Sequence, residues 1–406
     1  MIRSDASSTS PSLVIAIFAL TGLVVVSQLY LPLPIMQPLD NSYGASGWPV
    51  SWVLSAFGLA YAAGFLVFGP LSDRLGRRRV LLYGMLSLIA ATLLVTLARD
   101  GKELIIARAL QGFCAASFPP VALAYLGETL PVPRRMTAIA WMSFAFLSAA
   151  VLAQIFILSL ADSNLQTAET IAAGIYLVAL GALLLTMRTY SRVTATPQGT
   201  VRDSFRRLPA LILSRTLCPY YLATFTLLLA FVSFYLLISS DSNATLASLK
   251  LSPLALRGAA LPGMAITFLA PRLAQRYGAQ RVLLASFTMM VSGLLYSSLS
   301  LSDSTSTGLI LGNLLLAGGV ALAVPLLIIA VSSKAPEADR GSAVALYTFV
   351  LFCGASSAPF LGNTLESYGL QGALMMLCSL PSLAILILTT WSRIAGHRPS
   401  PDSSTA

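Results

Sequence analysis

The chain has 406 residues, of which 56% are hydrophobic and 10% are charged. Soluble domains carry about 25% charged residues, so this composition excludes an ordinary soluble protein and indicates one that lies in a bilayer. The formal net charge of +10 is compatible with a nucleic-acid partner, but the positions of the basic residues give a different explanation.

Twelve apolar runs have roughly the 20 residues that a helix needs to cross a bilayer core. We predict an all-α membrane protein with twelve transmembrane helices, near residues 12–36, 48–70, 79–98, 103–126, 136–160, 169–187, 217–240, 252–271, 281–300, 307–331, 341–363 and 371–391. A polar stretch divides these runs into two sets of six. The predicted organisation is a tail at 1–11, six-helix bundles at 12–187 and 217–391, a linker at 188–216 and a second tail at 392–406.

The basic residues are concentrated in alternate loops. All but five of the 25 Lys and Arg lie on the side of the amino terminus; the five are Arg99, Lys102 and Lys250 on the opposite side, and Arg108 and Arg257 within apolar runs. By the positive-inside rule, both termini and the linker are predicted to be cytoplasmic, in the inner (plasma) membrane of a cell. The basicity then follows from topology, and we expect no nucleic-acid partner.

Residues that bind metals or catalyse reactions are sparse. The four cysteines show no paired spacing, and the single histidine, His397, lies in the carboxyl tail. No nucleophile elbow or phosphate loop occurs. We therefore expect no metal site, no cofactor and no enzyme activity, and an intramembrane enzyme is the least favoured alternative.

A charged segment at residues 69–81 separates the second and third runs. It reads Gly69-Pro-Leu-Ser-Asp73-Arg74-Leu-Gly76-Arg77-Arg78-Arg79-Val-Leu. We predict a short loop between two helices, because glycine permits both the close approach and the unrestricted φ that a tight turn needs.

Part of this segment returns in the second half of the chain. Residues 276–284 align without a gap with residues 74–82, and Gln275 stands in the place of Asp73. A second match, between residues 135–140 and 340–345, has nearly the same offset. Two matches at half the chain length indicate an internal duplication and hence two pseudo-symmetric halves.

The 69–81 segment resembles the signature motif of the major facilitator superfamily, which is Gly, three residues, Asp, Arg or Lys, one residue, Gly, then basic residues. The resemblance implies a transporter that works by alternating access between two halves, each built of inverted three-helix repeats. It also implies a gating loop formed by Gly69, Asp73, Arg74, Gly76, Arg77 and Arg78, with Glu128 and Arg135 close to it. Asp73 is expected to meet the amino-terminal end of a second-half helix, the eleventh being favoured, because the unpaired N–H groups there attract an anion. Glu128 is expected to pair with the basic residues of the loop.

Arg108 is a charge inside the fourth run. A central Arg costs about 2.5–3.5 kcal/mol unless it snorkels to the surface. Gln111 and Gly112 share its helical face, so we favour a polar cavity over a snorkelling side chain. The segment Arg108-Ala-Leu-Gln111-Gly112 also resembles a second superfamily motif, which implies an arginine that faces the transport pathway.

Other polar or aromatic residues are candidates for the same substrate cavity: Tyr30, Gln154, Tyr235, Asn313 and Tyr347. Tyr30 is equally compatible with an anchor at the membrane interface. In the eleventh run, Gly354, Pro359 and Gly362 form a hinge-like mixture of small residues and proline. All fifteen acids are assigned to loops, tails or helix ends, so the cavity is predicted to be positive and to favour anionic or neutral polar solutes over lipophilic cations.

The general character of the motif and of the first helix resembles the drug-efflux branch of the superfamily. We therefore predict a monomeric secondary transporter that exports a small organic solute, such as a drug or metabolite. The fifth run reads Ser143-Phe-Ala-Phe-Leu-Ser-Ala-Ala150 in its middle and lacks the Gly-Pro pair of many antiporters, so proton antiport and potential-driven export both stay open. The alternatives are an importer or uniporter of an anionic or polar metabolite, and a non-transporting receptor or scaffold.

Overall fold

A computed structural model of the chain describes residues 10–43, 49–160, 164–187, 208–241, 245–302, 306–336 and 339–396. These residues form helices and no strands. The membrane-spanning helices are α1 Pro11–Ser27, α2 Ser51–Leu75, α3 Arg77–Leu97, α4 Gly101–Thr129, α5 Val132–Ser159, α6 Leu165–Met187, α7 Cys218–Asp241, α8 Pro253–Tyr277, α9 Ala279–Ser302, α10 Ser306–Lys334, α11 Arg340–Leu365 and α12, which comprises Gly369–Leu377 and Ser379–Gly396.

Ten stretches of the described residues are long and apolar enough to cross a membrane. One of them, Arg340–Trp391, contains both α11 and most of α12, and α1 is a shorter apolar helix. The twelve-helix prediction is thus confirmed. Most of the predicted linker and most of both tails lie outside the described residues, so the predicted domain boundaries stay predictions.

The predicted loop at 69–81 is wrong in extent, because α2 continues to Leu75 and α3 begins at Arg77. Gly76 is the single residue between them, with φ 88°, a conformation that side chains other than glycine rarely adopt. Gly69 lies inside α2, and a Cβ added there would meet nothing within 4 Å. The freedom of φ is therefore needed at Gly76, whereas the close approach expected at Gly69 is absent.

Helix α6 begins at Leu165, four residues before the start of the apolar run from which it was predicted. Glu169 consequently lies in the second turn of the helix, and its side chain is buried. The assignment of every acid to loops, tails or helix ends is wrong for this residue.

Two helices are interrupted. Helix α4 is broken around Ser117, before the pair Pro119-Pro120, and α8 is broken after Gly258 and passes through a 3₁₀ turn at Ile266–Leu269. Proline lacks the N–H of a regular helical bond, and Pro262 stands directly after the first break in α8. Such discontinuities in membrane helices occur where backbone lines a cavity or a binding site.

The two halves, α1–α6 and α7–α12, meet along α2 with α11 and along α5 with α8. We call the face at which Gly76 lies the motif face, and the opposite one the far face. Between α2 and α11, Ser55 donates a hydrogen bond to the Ser356 carbonyl over 2.7 Å, and a Cβ on Gly58 would lie 3.1 Å from Ser356 Cβ.

Large apolar side chains such as Leu177, Val178 and Leu185 are exposed on the outside of the bundle, as expected for a surface that faces lipid.

Candidate functional site

Arg108 lies at the centre of a buried polar cluster in the first half. Its guanidinium donates to the Gln111 Oε1 atom over 2.7 Å, to the Gln28 carbonyl over 2.6 Å and to the Glu169 carboxylate over 3.1 Å. The ring of Phe57 lies 4.4 Å from the guanidinium carbon. We call Arg108, Gln111, Glu169 and Gln28 the Arg108 cluster; it joins α1, α4 and α6.

Glu169 is the carboxylate that balances Arg108. Besides Arg108, it accepts a hydrogen bond from Gln111 Nε2 at 2.7 Å, and the Gln28 amide, oriented to donate, lies 2.9 Å from both of its oxygens. The side chains of Arg108 and Glu169 are 0% exposed, and a buried charge is tolerated only when it is paired in this way. The prediction that no buried acid offsets Arg108 is wrong.

A second buried cluster lies in and beside the second half, around Arg257. The guanidinium donates to Gln154 Oε1 over 2.9 Å, to Ser239 Oγ over 2.7 Å and to the Pro253 carbonyl over 3.1 Å. Gln154 belongs to α5, so this bond crosses between the halves. We call five residues the Arg257 cluster: Arg257, Gln154 and Ser239, and also Tyr235 and Asn313, which are described next.

Asn313 and Tyr235 support Arg257 through the backbone of α8. The break in this helix directs the Ala260 N–H to the Arg257 carbonyl, which leaves the Leu256 carbonyl without its usual partner, and Asn313 Nδ2 donates to it over 2.7 Å. Tyr235 donates its hydroxyl to Asn313 Oδ1 at 2.8 Å. Asn313, a candidate for the substrate cavity, therefore holds the interrupted helix next to Arg257.

A cavity of about 780 Å³ opens between the halves at the far face. Its lining comes from both halves and includes polar groups of Gln37, Asp40, Ser239, Asn363 and Glu366. The eight residues predicted for the substrate cavity are all buried, and none of them lines this cavity. Two of its lining residues, Ser239 and Pro253, are hydrogen-bond partners of Arg257.

Towards the motif face, aromatic contacts join the two halves. Phe352 of α11 stacks on Phe65 with ring centroids 5.5 Å apart and meets Tyr61 edge-on at 4.7 Å. Phe268 of α8 lies 5.7 Å from Trp141 and 5.2 Å from Phe144, both in α5. The halves are thus packed together on the motif side. On the far side a cavity lies between them, and α2 and α11 still meet there through Trp52 and Phe360, whose ring centroids are 5.3 Å apart.

Three predicted cavity residues belong to neither cluster. Tyr347 donates its hydroxyl to the Val324 carbonyl over 3.2 Å, and Tyr30 is buried near the far-face end of the α1 segment. At Gly112, an added Cβ would lie 2.2 Å from the Phe57 carbonyl oxygen, so this glycine permits the contact between α2 and α4.

The predicted hinge residues lie within an unbroken helix. Helix α11 runs through Gly354, Pro359 and Gly362. Gly354 permits close packing on α7, since a Cβ there would meet the Phe225 carbonyl at 2.2 Å, whereas Gly362 has ordinary contacts only. Nothing here tests a hinge, which stays a prediction.

Two of the predicted gating residues, Asp73 and Glu128, meet at Arg77. This side chain forms ion pairs with Asp73 and, over 3.0 Å, with Glu128, and it also donates to Ser72. Arg135 donates to the Leu130 carbonyl over 2.9 Å. The expected pairing of Glu128 with the motif is present in the structure.

The expected contact of Asp73 with α11 is absent. Among the residues that the structure describes, Asp73 pairs with Arg77 alone, and no hydrogen bond or ion pair joins it to α11. This interaction remains within the first half because Arg77, one helical turn away, offers a nearer opposite charge. The Arg77 pairs with Asp73 and Glu128 are partly exposed, so each contributes about 0–1 kcal/mol.

Sequence reasoning missed Glu169 and Arg257 as site residues. Arg257 had a visible signal, an arginine inside an apolar run, the same signal that identified Arg108. Glu169 also had one, because a buried arginine with two glutamines near it needs a carboxylate. Gln154 was predicted to line the substrate cavity, which stays a prediction. Its partner lies 103 residues away in the other half, and no local pattern reports such a pair.

Several curated proteins are similar to parts of the chain. It is 36% identical over 98 residues to the puromycin resistance protein pur8 of Streptomyces alboniger, a match that covers 24% of the chain and 20% of the relative. It is 33% identical over 116 residues to the inner membrane transport protein YnfM of Escherichia coli, covering 29% and 28%. It is 30% identical over 128 residues to the methylenomycin A resistance protein of Bacillus subtilis, covering 32% and 27%. The matched part thus spans between 20% and 28% of the length of these relatives.

Solved structures resemble the whole chain in fold. The human organic anion transporter MFSD10 superposes with a TM-score of 0.70 at 19% identity, covering 93% of this chain and 99% of that one. The POT family transporter PepTSo superposes with a TM-score of 0.73 at 13% identity, covering 96% and 99%.

A family model covers nearly the whole chain in two overlapping matches. The model described as Major Facilitator Superfamily matches residues 15–261 and again residues 245–406. Its coverage agrees with the sequence motif, the internal duplication and the twelve-helix fold. The chain therefore belongs to the Major Facilitator Superfamily and is a multi-pass membrane protein with this fold.

Proposed function

We propose that the protein exports a small organic solute from the cytoplasm by alternating access, in exchange for protons. The observation that carries the proposal is the buried Arg108–Glu169 pair. A carboxylate deep in the bundle is a group that can carry a proton. Its partners lie on α1, which packs against α5, and on α4, which packs against α2, and both α5 and α2 contact the other half. The names of relatives that confer resistance to puromycin and methylenomycin A support export.

The orientation follows from the distribution of basic residues. With the motif face in the cytoplasm, the far-face cavity opens to the outside, and the aromatic contacts on the motif side close the pathway to the cytoplasm. Protonation of Glu169 removes its charge and leaves Arg108 as a buried cation without a carboxylate, which is costly. A change of partners at this cluster then couples proton binding to rearrangement of α1, α4 and α6.

The test is transport by purified protein in proteoliposomes, with a pH gradient and a membrane potential imposed separately. The probes are puromycin, ethidium and p-aminohippurate. We expect a pH gradient at zero potential to drive accumulation of at least one probe by the native protein. Glu169→Gln should lose this accumulation but retain exchange of labelled for unlabelled probe, which requires no net proton movement. Glu103→Gln, which changes an exposed acid on α4, is the matched control.

Other outcomes contradict parts of the proposal. Undiminished pH-driven accumulation in Glu169→Gln excludes this carboxylate as the proton carrier. Accumulation driven by the potential alone favours a uniporter, which is the alternative raised by the sequence. Binding of a probe with no movement across the membrane favours a receptor.

A further inference from the structure

We propose that Arg257 recognises the anionic group of the transported solute, and that this group replaces Gln154 on the guanidinium. The anion is a carboxylate or a group of similar shape and charge, such as a sulfonate. The inference rests on the proposed function, because it places a solute between the two halves, and it adds the chemical class of that solute.

The first argument is the charge balance of the two buried arginines. Arg108 has Glu169 beside it, and the pair is neutral. Arg257 is 1% exposed, and each of its three hydrogen-bond partners is a neutral oxygen. No carboxylate among the described side chains forms an ion pair with it. A buried cation without a counterion is unfavourable, so a ligand that brings a negative charge removes an existing cost.

The second argument is the geometry of the guanidinium. Arginine has five N–H donors in a planar fork that matches the two oxygens of a carboxylate. The three described bonds use three of these donors. An anion that displaces the Gln154 amide accepts two charge-assisted hydrogen bonds in place of one bond to a neutral group, and such bonds are the stronger kind.

The third argument is position. Ser239 and Pro253, which hold the guanidinium, also line the far-face cavity, as does Leu158, one turn beyond Gln154 on α5. Helix α8 is interrupted directly after the turn that carries Arg257, an arrangement typical of transporter binding sites. The Ser239 side chain and the Pro253 backbone, which bind the guanidinium, thus lie between it and the cavity.

The fourth argument links binding to conformation. The Arg257–Gln154 bond crosses between the halves, whereas Ser239 and Pro253 belong to the same half as Arg257. An anion that replaces Gln154 breaks this connection between α5 and α8 and retains the bonds within the second half. A solute shifts a conformational equilibrium only through contacts that differ between the states, and this exchange of partners is such a contact.

The test is ligand-dependent thermal unfolding of the purified full chain in detergent. The probes are p-aminohippurate and benzenesulfonate as anions, benzamide as a neutral compound and tetraphenylphosphonium as a cation. A ligand that binds the native state raises Tm with its concentration. We expect both anions to raise the Tm of the native protein, and the other two probes to leave it unchanged. The matched control Arg272→Gln, which removes an exposed arginine of the same helix, should respond like the native protein.

Two variants of the Arg257 cluster test the mechanism. Arg257→Gln should lower the affinity for both anions at least ten-fold. Gln154→Glu places a carboxylate of the protein itself on the guanidinium. This variant should fold stably and lose affinity for both anions to an equal extent. It keeps the test valid if Arg257→Gln does not fold. Unchanged anion responses in Gln154→Glu, or a Tm raised only by tetraphenylphosphonium, would overturn the inference.

The measurement separates this inference from the proposed function, since thermal unfolding requires no transport. If a pH gradient drives export of the probes but all variants respond identically to the anions, only the role of Arg257 is refuted. If anions bind in a manner that depends on Arg257 but no probe is transported, the binding site at Arg257 is supported and the proposed transport function is refuted.

Discussion

Arg108 and Glu169 are expected to depend on each other, because removing one of them leaves the other as an unpaired buried charge. Glu169→Leu leaves a fully buried guanidinium without its carboxylate, and breaking such a pair costs about 3–5 kcal/mol. Replacing both residues by leucine removes the unpaired charge, so the double variant should be more stable than Glu169→Leu. Thermal unfolding in detergent measures both. A double variant as unstable as the sum of the two single changes would show that the charges are not coupled.

At the scale of single residues, the sequence predicted neighbours along one helix better than partners between helices. Arg108 and Gln111 were placed on one face by their spacing, and they are hydrogen-bonded at 2.7 Å. Glu169 was missed because α6 begins at Leu165, about one turn before the predicted start at residue 169. This earlier start places Glu169 inside the helix, where its side chain is buried. The predicted positive cavity thereby loses its basis at Arg108. The buried arginine without an ion pair among the described side chains is Arg257.

At the scale of elements, hydropathy predicted the membrane helices but not where each helix ends. The charges from Asp73 to Arg79 were interpreted as a loop, yet α2 and α3 together include all of them. A change from apolar to charged residues marks the membrane surface, and helical hydrogen bonds continue beyond it. The breaks in α4 and α8 were not predicted, although prolines stand beside both.

The turn between α2 and α3 provides a prediction with an internal control. Gly76→Ala places a Cβ on a residue with φ 88° and ψ 136°, a backbone region that is almost restricted to glycine and costs other residues about 1–3 kcal/mol. Gly174→Ala adds a Cβ in open space in the interior of α6, where alanine is favoured by about 0.5–1 kcal/mol. Thermal unfolding should therefore shift in opposite directions for the two variants. Equal destabilisation by both would mean that φ at Gly76 is not the reason for the glycine.

At the scale of the whole molecule, alternating access requires α2 and α11 to separate. A Cβ on Gly58 would lie 3.1 Å from Ser356 Cβ, close to the roughly 3.5–4.5 Å found across a disulfide. In a background in which the four free cysteines are replaced by serine, Gly58→Cys with Ser356→Cys should form a disulfide on oxidation. We expect transport to stop and to return on reduction, while each single variant is insensitive to oxidant. Full transport by the crosslinked protein would exclude separation of these helices.

The internal duplication predicted the overall arrangement correctly, and the halves differ in chemistry. A buried ion pair is found in the first half, whereas the buried Arg257 of the second half forms no ion pair with any described side chain and is supported by Asn313. Neither difference is visible in the matched segments, because those lie at the membrane surface, where both halves keep the same turn.

That shared turn limits how the two surface connections can change in length. Gly76 has φ 88° and ψ 136°, and Gly278, between α8 and α9, has φ 88° and ψ 134°. Each connection is one residue long, whereas most surface loops accept insertions at little cost. An added residue that is absorbed into either adjoining helix turns the rest of that helix by about 100°, since a helix has 3.6 residues per turn. Such a rotation carries side chains from the lipid-facing side of the helix to its packed side, so these two surface turns set the angular position of whole helices inside the membrane.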